Sequence, residues 1–273
     1  MPERFLRSGI ENDLISFVSP EDTLRALEGA DGYLPFATEV SSVPAESRVV
    51  MYNEPRSPGA DRFRWAGIRL RSLQAAKGVK TLLITSPLPG DGKSTVALNL
   101  ATALSEQGTR PVLLLEADVY RPTLVKKLGL KPWAGLTECH KLGRDPIQAI
   151  RRIDPLGFYM LPAGEPREGD LRSILSSGIA TLLREALSSS FFSWILVDSP
   201  PTIPVSEILI LKGHSDGTLL VARAGATPRQ AIEESARNLG RDHVVGIILN
   251  GVEGLNRTYS RYYGYGKSEL RSW

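Results

Sequence analysis

Eleven consecutive residues, Thr85-Ser86-Pro87-Leu88-Pro89-Gly90-Asp91-Gly92-Lys93-Ser94-Thr95, carry the densest chemistry in the chain. An apolar, strand-like segment precedes them and a helical pattern begins at Thr95. Gly90 and Gly92 lack a Cβ, so successive backbone N–H groups can turn inward around a polyphosphate at a helix N-terminus. Lys93 then reaches the β- and γ-phosphates, and Ser94 can hold Mg²⁺. Pro87 stands where the first glycine of G-x4-G-K-[ST] is usual, yet strand, loop and helix follow in the required order.

Two further apolar segments end in acids. Leu113-Leu114-Leu115-Glu116-Ala117-Asp118 sets Glu116 and Asp118 at the mouth of one strand, followed by Arg121-Pro122. Ile195-Leu196-Val197-Asp198-Ser199-Pro200-Pro201 does the same for Asp198, in the form of a Walker B aspartate. Carboxylates so placed suit Mg²⁺, a hard cation that takes few protein ligands and keeps several waters. The alternative for each acid, and most for Glu116, is a turn or helix-cap residue after a strand. Arg121 can touch phosphate or pair with an acid.

A second concentration lies near the end, where Tyr259, Tyr262, Tyr263 and Tyr265 fall within seven residues. They follow neither a strand nor a helix period, and the interleaved Gly264 and Gly266 favour a flexible tail. Their hydroxyls are either phosphoryl acceptors or part of an aromatic interaction patch.

Positioning these groups requires a particular scaffold. Continuous apolar runs such as Val112-Leu113-Leu114-Leu115 indicate strands buried on both faces of a parallel sheet. Strands are expected at 81–85, 111–116, 158–161, 194–197, 217–221 and 244–249, with crossover helices near 94–107, 171–189, 205–213 and 228–239. A helix over 61–77 should feed the first core strand. The fold expected is α/β, a doubly wound, mostly parallel sheet of P-loop NTPase type, with ligand at the carboxyl ends of the strands. Residues 1–60 contain Pro2, Pro20, Pro35, Pro44, Pro55 and Pro58 and read as a largely irregular, extended arm. Within it, Ser19-Pro20-Glu21-Asp22 is one short helix-start signal. The core domain is then 61–255 and the tail 256–273.

Bulk composition narrows the classes. The 273 residues are 42% hydrophobic, enough for a sizeable core. The net charge of +3 comes from 33 basic and 30 acidic residues, a balance that gives no case for nucleic acid as a partner. No apolar run approaches the ~20 residues that span a bilayer, and no signal-peptide core follows Pro2-Glu3-Arg4, so a cytoplasmic protein is expected. Cys139 is the single cysteine, which excludes a disulfide framework and a cysteine metal cluster. His140 beside it reads as a surface residue rather than a ligand.

From about Ser57 to Tyr265 the chain resembles the bacterial tyrosine kinases, in their stand-alone form that works with a membrane polysaccharide co-polymerase. The resemblance rests on Pro89-Gly90-Asp91-Gly92-Lys93-Ser94-Thr95, on Glu116-Ala117-Asp118 with Arg121-Pro122, and on Asp198-Ser199-Pro200-Pro201. Ser215-Asp216-Gly217, Val221, Thr227, Ile248-Leu249-Asn250-Gly251-Val252 and the tyrosine tail also fit. It implies that Pro89 to Thr95 and Asn250 bind ATP, with Asn250 at the adenine. Lys93, Glu116, Asp118 and Asp198 would be catalytic, and Ser94, Asp118 and Asp198 would hold Mg²⁺. Glu116 takes the place of an Asp that serves as base for the incoming tyrosine, and Tyr259, Tyr262, Tyr263 and Tyr265 become phosphoacceptors. Implied partners are the co-polymerase, which recruits the kinase to the inner face of the membrane, a cognate tyrosine phosphatase and other copies of the chain. The family's self-association helix, E-x2-R-x2-R, appears as Asp61-x2-Arg64-x2-Gly67, and loss of the second arginine should weaken assembly.

The function expected is a Mg-ATP-dependent autokinase of exopolysaccharide or capsule synthesis. Two alternatives stay open. One is a partition- or septum-type P-loop ATPase switch, against which Ser86-Pro87-Leu88-Pro89 lacks that class's early loop lysine. The other is a degenerate kinase that serves as a binding module for its membrane partner.

Overall fold

The computed structural model describes residues 36–106, 108–165, 174, 191–203 and 208–252. All of them fall in one compact unit that begins at Pro35. The helix signal at Ser19–Asp22 and the tail tyrosines lie outside the described residues, as does the expected helix at 171–189 apart from Ile174.

Eight strands form a single sheet: β1 (Thr38–Val40), β2 (Thr81–Thr85), β3 (Val112–Glu116), β4 (Arg151–Asp154), β5 (Phe158–Leu161), β6 (Trp194–Asp198), β7 (Gly217–Arg223) and β8 (Val244–Asn250). Their order is β1-β4-β5-β3-β6-β2-β7-β8. Every pairing is parallel except the β4–β5 hairpin. The doubly wound architecture is therefore present, and β2, β3, β5 and β6 start or end within a residue of the expected limits. Successive residues of β3 divide between the two faces: Leu113 and Leu115 enter one apolar cluster, Val112 and Leu114 the other. That two-sided burial is why these strands are apolar throughout.

The helices are α1 (Val50–Asn53), α2 (Pro58–Lys77), α3 (Lys93–Ser105), α4 (Leu124–Lys127), α5 (Leu136–Leu142), α6 (Ile208–Lys212) and α7 (Arg229–Leu239). None of the described helices is long and apolar enough to cross a membrane. α3, the crossover from β2 to β3, carries Val96, Leu98, Leu100, Ala101 and Leu104, all fully buried.

The structure corrects the reading of residues 1–60 as an arm where it describes them. β1 pairs in parallel with β4 at the sheet edge, and Val43 and Val49 are 3% and 0% exposed in the α3-side core. The Ser41 hydroxyl donates to the Leu128 carbonyl at 2.6 Å. α2 starts at Pro58, which has no N–H to leave unpaired in the first turn, with the Ser57 side chain accepting from Ala60 N at 3.2 Å. A three-residue strand is too short to show a period, and prolines on either side hide it. β4 went unread for a related reason: Arg151-Arg152-Ile153-Asp154 has one apolar residue and is held by pairing and by ion pairs, Arg151 with Glu39 and Arg152 with Asp154.

Gly67, where a second arginine was expected, is buried in the α2–α3 contact. A Cβ there would meet Ala103 Cβ and Leu104 Cδ2 at 3.8 Å. Arg71, one turn on, lies over the same spot and pairs with Glu106 at 3.0 Å.

Candidate active site

The carboxyl end of β2 runs into a loop that is tied down on all sides. Thr85 Oγ1 donates to Pro200 O at 2.7 Å, Ser86 Oγ to Leu88 O at 2.8 Å, and Leu88 N to Asp91 Oδ2 at 3.0 Å. Gly90 and Gly92 have φ of 88° and 96°, values that L residues avoid. At Gly92 space forbids a side chain as well: the Asn250 amide donates to Asp91 O at 3.0 Å, and a Cβ would lie 2.0 Å from its Nδ2. Asp91 is itself 4% exposed, and its second oxygen accepts from Thr227 Oγ1 at 2.6 Å, so its side chain anchors the loop to the turn after β7. The result is an inward-facing set of backbone amides at the N-terminus of α3, the geometry that receives phosphate.

Three acids meet beside this loop on adjacent strand ends. β3 and β6 pair in register so that Glu116 stands opposite Asp198. Lys93 Nζ lies 2.9 Å from Asp118 Oδ2, both side chains largely buried. Burial lowers the proton affinity of Lys93, but Asp198 and Asp118 outweigh it and its pKa is raised. Asp198 is fully enclosed; burial pushes its pKa to about 7 against the pull of Lys93 and of the Ser94 hydroxyl bonded to it. Its Oδ1 is a buried acceptor with no hydrogen-bond partner.

Glu116 differs from the expectation that it faces an incoming hydroxyl. Its Oε1 accepts from Thr123 N at 2.5 Å and Leu124 N at 2.8 Å, and its Oε2 from Ala163 N at 3.2 Å. Both oxygens are thus committed to backbone amides, two of them at the start of α4, which is the cap role that the sequence left open. Burial still raises its pKa, with the three amides opposing.

The donor set fits Mg²⁺. Ser94 Oγ and Asp198 supply hard oxygens, one of them unpartnered, and Mg²⁺ takes one or two carboxylates with waters and phosphate oxygens rather than a protein cage. Consistently, no set of three or more His, Cys, Asp or Glu is arranged to hold a metal among the described residues.

A cleft of about 1540 Å³ joins these groups. Its lining takes in Pro89, Gly90, Gly92, Lys93, Ser94, Thr95, Asp118 and Asn250, so seven residues of the expected site besides Asn250 converge there. Asn250, Gly251 and Arg223 form one flank; Arg121, Lys127 and Arg48 form the other. The four tail tyrosines lie outside the described residues. Sequence reasoning missed Arg48, Lys127 and Asn99. Asn99 had a legible signal, a carboxamide inside the apolar run of α3. It accepts from Met51 N at 3.2 Å and donates to Arg48 O and Thr95 O at 2.9 Å each. Arg48 sat in the supposed arm, and Lys127 in an unremarkable Lys-Lys pair.

The family model ParA, described as NUBPL iron-transfer P-loop NTPase, matches residues 78–250. The chain is similar to Tyrosine-protein kinase YwqD of Bacillus subtilis (strain 168), 27% identical over 221 residues that cover 80% of this chain and 92% of the relative. It is 29% identical over 237 residues to the Succinoglycan biosynthesis transport protein ExoP of Rhizobium meliloti (strain 1021), covering 80% of this chain but 30% of that longer protein. The solved kinase domain of Escherichia coli tyrosine kinase ETK superimposes with a TM-score of 0.65 at 23% identity, over 75% of this chain and 80% of that one. The chain belongs to the ParA family of P-loop NTPases, and curated relatives to which it is similar are named as tyrosine-protein kinases.

Proposed function

We propose that this protein is a Mg-ATP-dependent protein-tyrosine autokinase that modifies its own C-terminal tyrosines and thereby regulates exopolysaccharide or capsule synthesis. The observation that carries the reading is the convergence of Lys93, Asp118 and Ser94-bonded Asp198 beside a phosphate loop, in a chain whose relatives are named as tyrosine kinases. The amides of Gly90 to Thr95 cradle the nucleotide's phosphates, and Asn250 sits where the base would stack. Lys93 moves from Asp118 to the β- and γ-phosphate oxygens. Ser94 and Asp198 would hold Mg²⁺, which neutralises charge on those oxygens.

Asp118, released from Lys93, faces the cleft beside the phosphate loop. It accepts the phenolic proton as the tyrosine oxygen bonds to the γ-phosphorus and the bond to the β-bridging oxygen breaks, leaving ADP. Glu116 acts one step back, fixing the backbone of residues 123 and 124 and so the loop that carries Asp118 and Arg121. Most of the catalysis is positioning and charge neutralisation.

A relative named as a succinoglycan biosynthesis transport protein supports a partner in polysaccharide export; recruitment to the inner membrane face by a membrane co-polymerase and reversal by a phosphatase are part of the proposal. Self-association would use surfaces other than position 67, which is occupied by the α2–α3 contact. Mass spectrometry of the protein before and after phosphatase treatment tests the reading. Phosphate on Tyr259, Tyr262, Tyr263 or Tyr265 is expected, lost in Lys93→Met. ATP hydrolysis without any phosphotyrosine would overturn it in favour of an ATPase switch.

A further inference from the structure

The flank of the cleft opposite Asn250 is cationic in a way that the nucleotide does not explain. Arg48, Arg121 and Lys127 line it together with Thr95, and the one acid near Arg48 in that lining, Glu46, forms no ion pair with them among the described residues. Among the described residues no acid pairs with Arg48 or Lys127, whereas Lys93 has Asp118. Lys127 Nζ reaches only the Thr95 hydroxyl, at 3.3 Å. Burial, then the charge of Arg48, lower its pKa, so two like charges are held together with partial loss of solvent.

Arg48 is also mounted with care. It has φ 55°, a left-handed conformation that is rare for a residue with a long side chain. Its neighbours Ser47 and Val49 are 1% and 0% exposed, and its carbonyl is tied through Asn99 to the first turn of α3. Arg48 caps the 3-10 turn Ala45–Ser47 in this conformation, so its backbone is fixed between buried neighbours while its side chain is exposed.

Position and size argue for a second ligand. α4, which ends in Lys127, follows β3; β3 and β8 lie on opposite sides of the loop strand β2 in the sheet. The Arg48–Lys127 flank is therefore across the phosphate loop from the base side and next to Asp118, where an acceptor would enter. The cleft's volume of about 1540 Å³ exceeds the roughly 300–1,000 Å³ of a single small-ligand pocket. A guanidinium close enough to lower the pKa of an ammonium that itself touches a hydroxyl matches a dianion with several acceptor oxygens.

We propose that Arg48, Lys127 and the Thr95 hydroxyl form a subsite for a phosphate monoester, separate from the nucleotide's phosphates, and that its occupant is a phosphotyrosine of the chain's own tail. The choice of occupant rests on the autokinase reading above. A tail that has received one phosphate then docks beside Asp118 and presents a neighbouring tyrosine, so that modification of the cluster is ordered and successive turnovers stay on one tail.

The test uses the full-length, phosphatase-treated protein saturated with MgADP and a synthetic peptide of residues 258–266 phosphorylated at Tyr262. The phosphopeptide should bind in the presence of MgADP, and inorganic phosphate should compete; the unmodified peptide should bind about tenfold more weakly or worse. Arg48→Gly keeps the left-handed backbone and removes the guanidinium; Lys127→Ala removes the ammonium. Each should cost the phosphopeptide about tenfold more than it costs MgADP, and Lys127→Arg should recover most of the loss. Mutual exclusion of phosphopeptide and MgADP, or variants that bind the phosphopeptide as well as the parent, would overturn the subsite. Peptide binding needs no phosphoryl transfer, so a protein that binds but never labels its tail would refute the autokinase reading alone.

Discussion

Glu116 and Asp198 occupy equivalent places, opposite each other at the ends of neighbouring strands and each 1% exposed. Burial raises the pKa of both. They differ in what meets their oxygens: three backbone amides surround Glu116, while Asp198 keeps an unpartnered Oδ1 beside Ser94. Burial alone therefore does not mark a catalytic acid. A satisfied buried carboxylate holds structure together, and an unsatisfied one costs stability that only a ligand can return.

The contrast is sharpest in activity. Asp198→Asn should lower Mg²⁺-dependent phosphoryl transfer by at least about 100-fold, measured as phosphate incorporation at saturating ATP, while the variant stays folded. Stability follows with a definite sign. Between its ordinary 3.8 and about 7, Asp198 holds a proton in the folded chain that the unfolded chain releases, so its contribution is lost as pH rises through that window. Thermal melts of the ligand-free proteins should show the Asn variant gaining on the parent from pH 5 to pH 8. A gap that does not change with pH would remove the distinction between the two acids.

Glu116→Gln should act the other way, on the fold first. The amide nitrogen of Gln cannot accept from the backbone N–H groups that the carboxylate serves, and one unmade buried hydrogen bond costs about 1–3 kcal/mol. Urea denaturation should show that loss at neutral pH, with nucleotide affinity nearly intact. Glu116→Asp, although it restores the residue usual in related kinases, is too short to reach residues 123, 124 and 163 together and should also lose stability. If either variant loses activity without losing stability, Glu116 acts on the substrate directly.

A smaller effect concerns the metal itself. Mg²⁺ binding requires Asp198 to shed its proton, so affinity at saturating nucleotide should rise about tenfold per pH unit below 7 and level off above it. The slope should vanish in Asp198→Asn. Smallest of all, Asn99→Ala should cost roughly 1 kcal/mol or somewhat more by releasing Arg48 and Met51 from α3, read as a lowered denaturation midpoint.

The sequence was informative where composition reports burial directly. Runs such as Trp194 to Val197 are apolar because both faces of a central strand are covered, and the loop glycines suit backbone geometry that L residues rarely adopt. It was silent where partners are backbone groups or lie far along the chain. Nothing in Glu116 and its neighbours shows that the amide of Ala163, 47 residues on, will meet it. β1 and β4 owe their strand form to each other, and Asn99 reaches Met51 and Arg48 across a gap of about 50 residues. Lys127 becomes part of a cationic flank only once α4 is folded against the first turn of α3.

The sheet order has a consequence for how the protein is made. The strand that bears the phosphate loop, β2, is flanked by β6 and β7, both more than 100 residues downstream. A chain emerging from the ribosome therefore exposes β2 and β3, both wholly buried in the finished fold, well before the neighbours of β2 exist. Until Arg223, Asn250 and Gly251 have emerged, the nucleotide pocket lacks part of its lining, so ATP is a poor template for early folding and stabilises chiefly the nearly finished domain. Synthesis of this protein should depend on chaperones that shield apolar strands in transit, and truncations ending before β7 should aggregate rather than bind nucleotide.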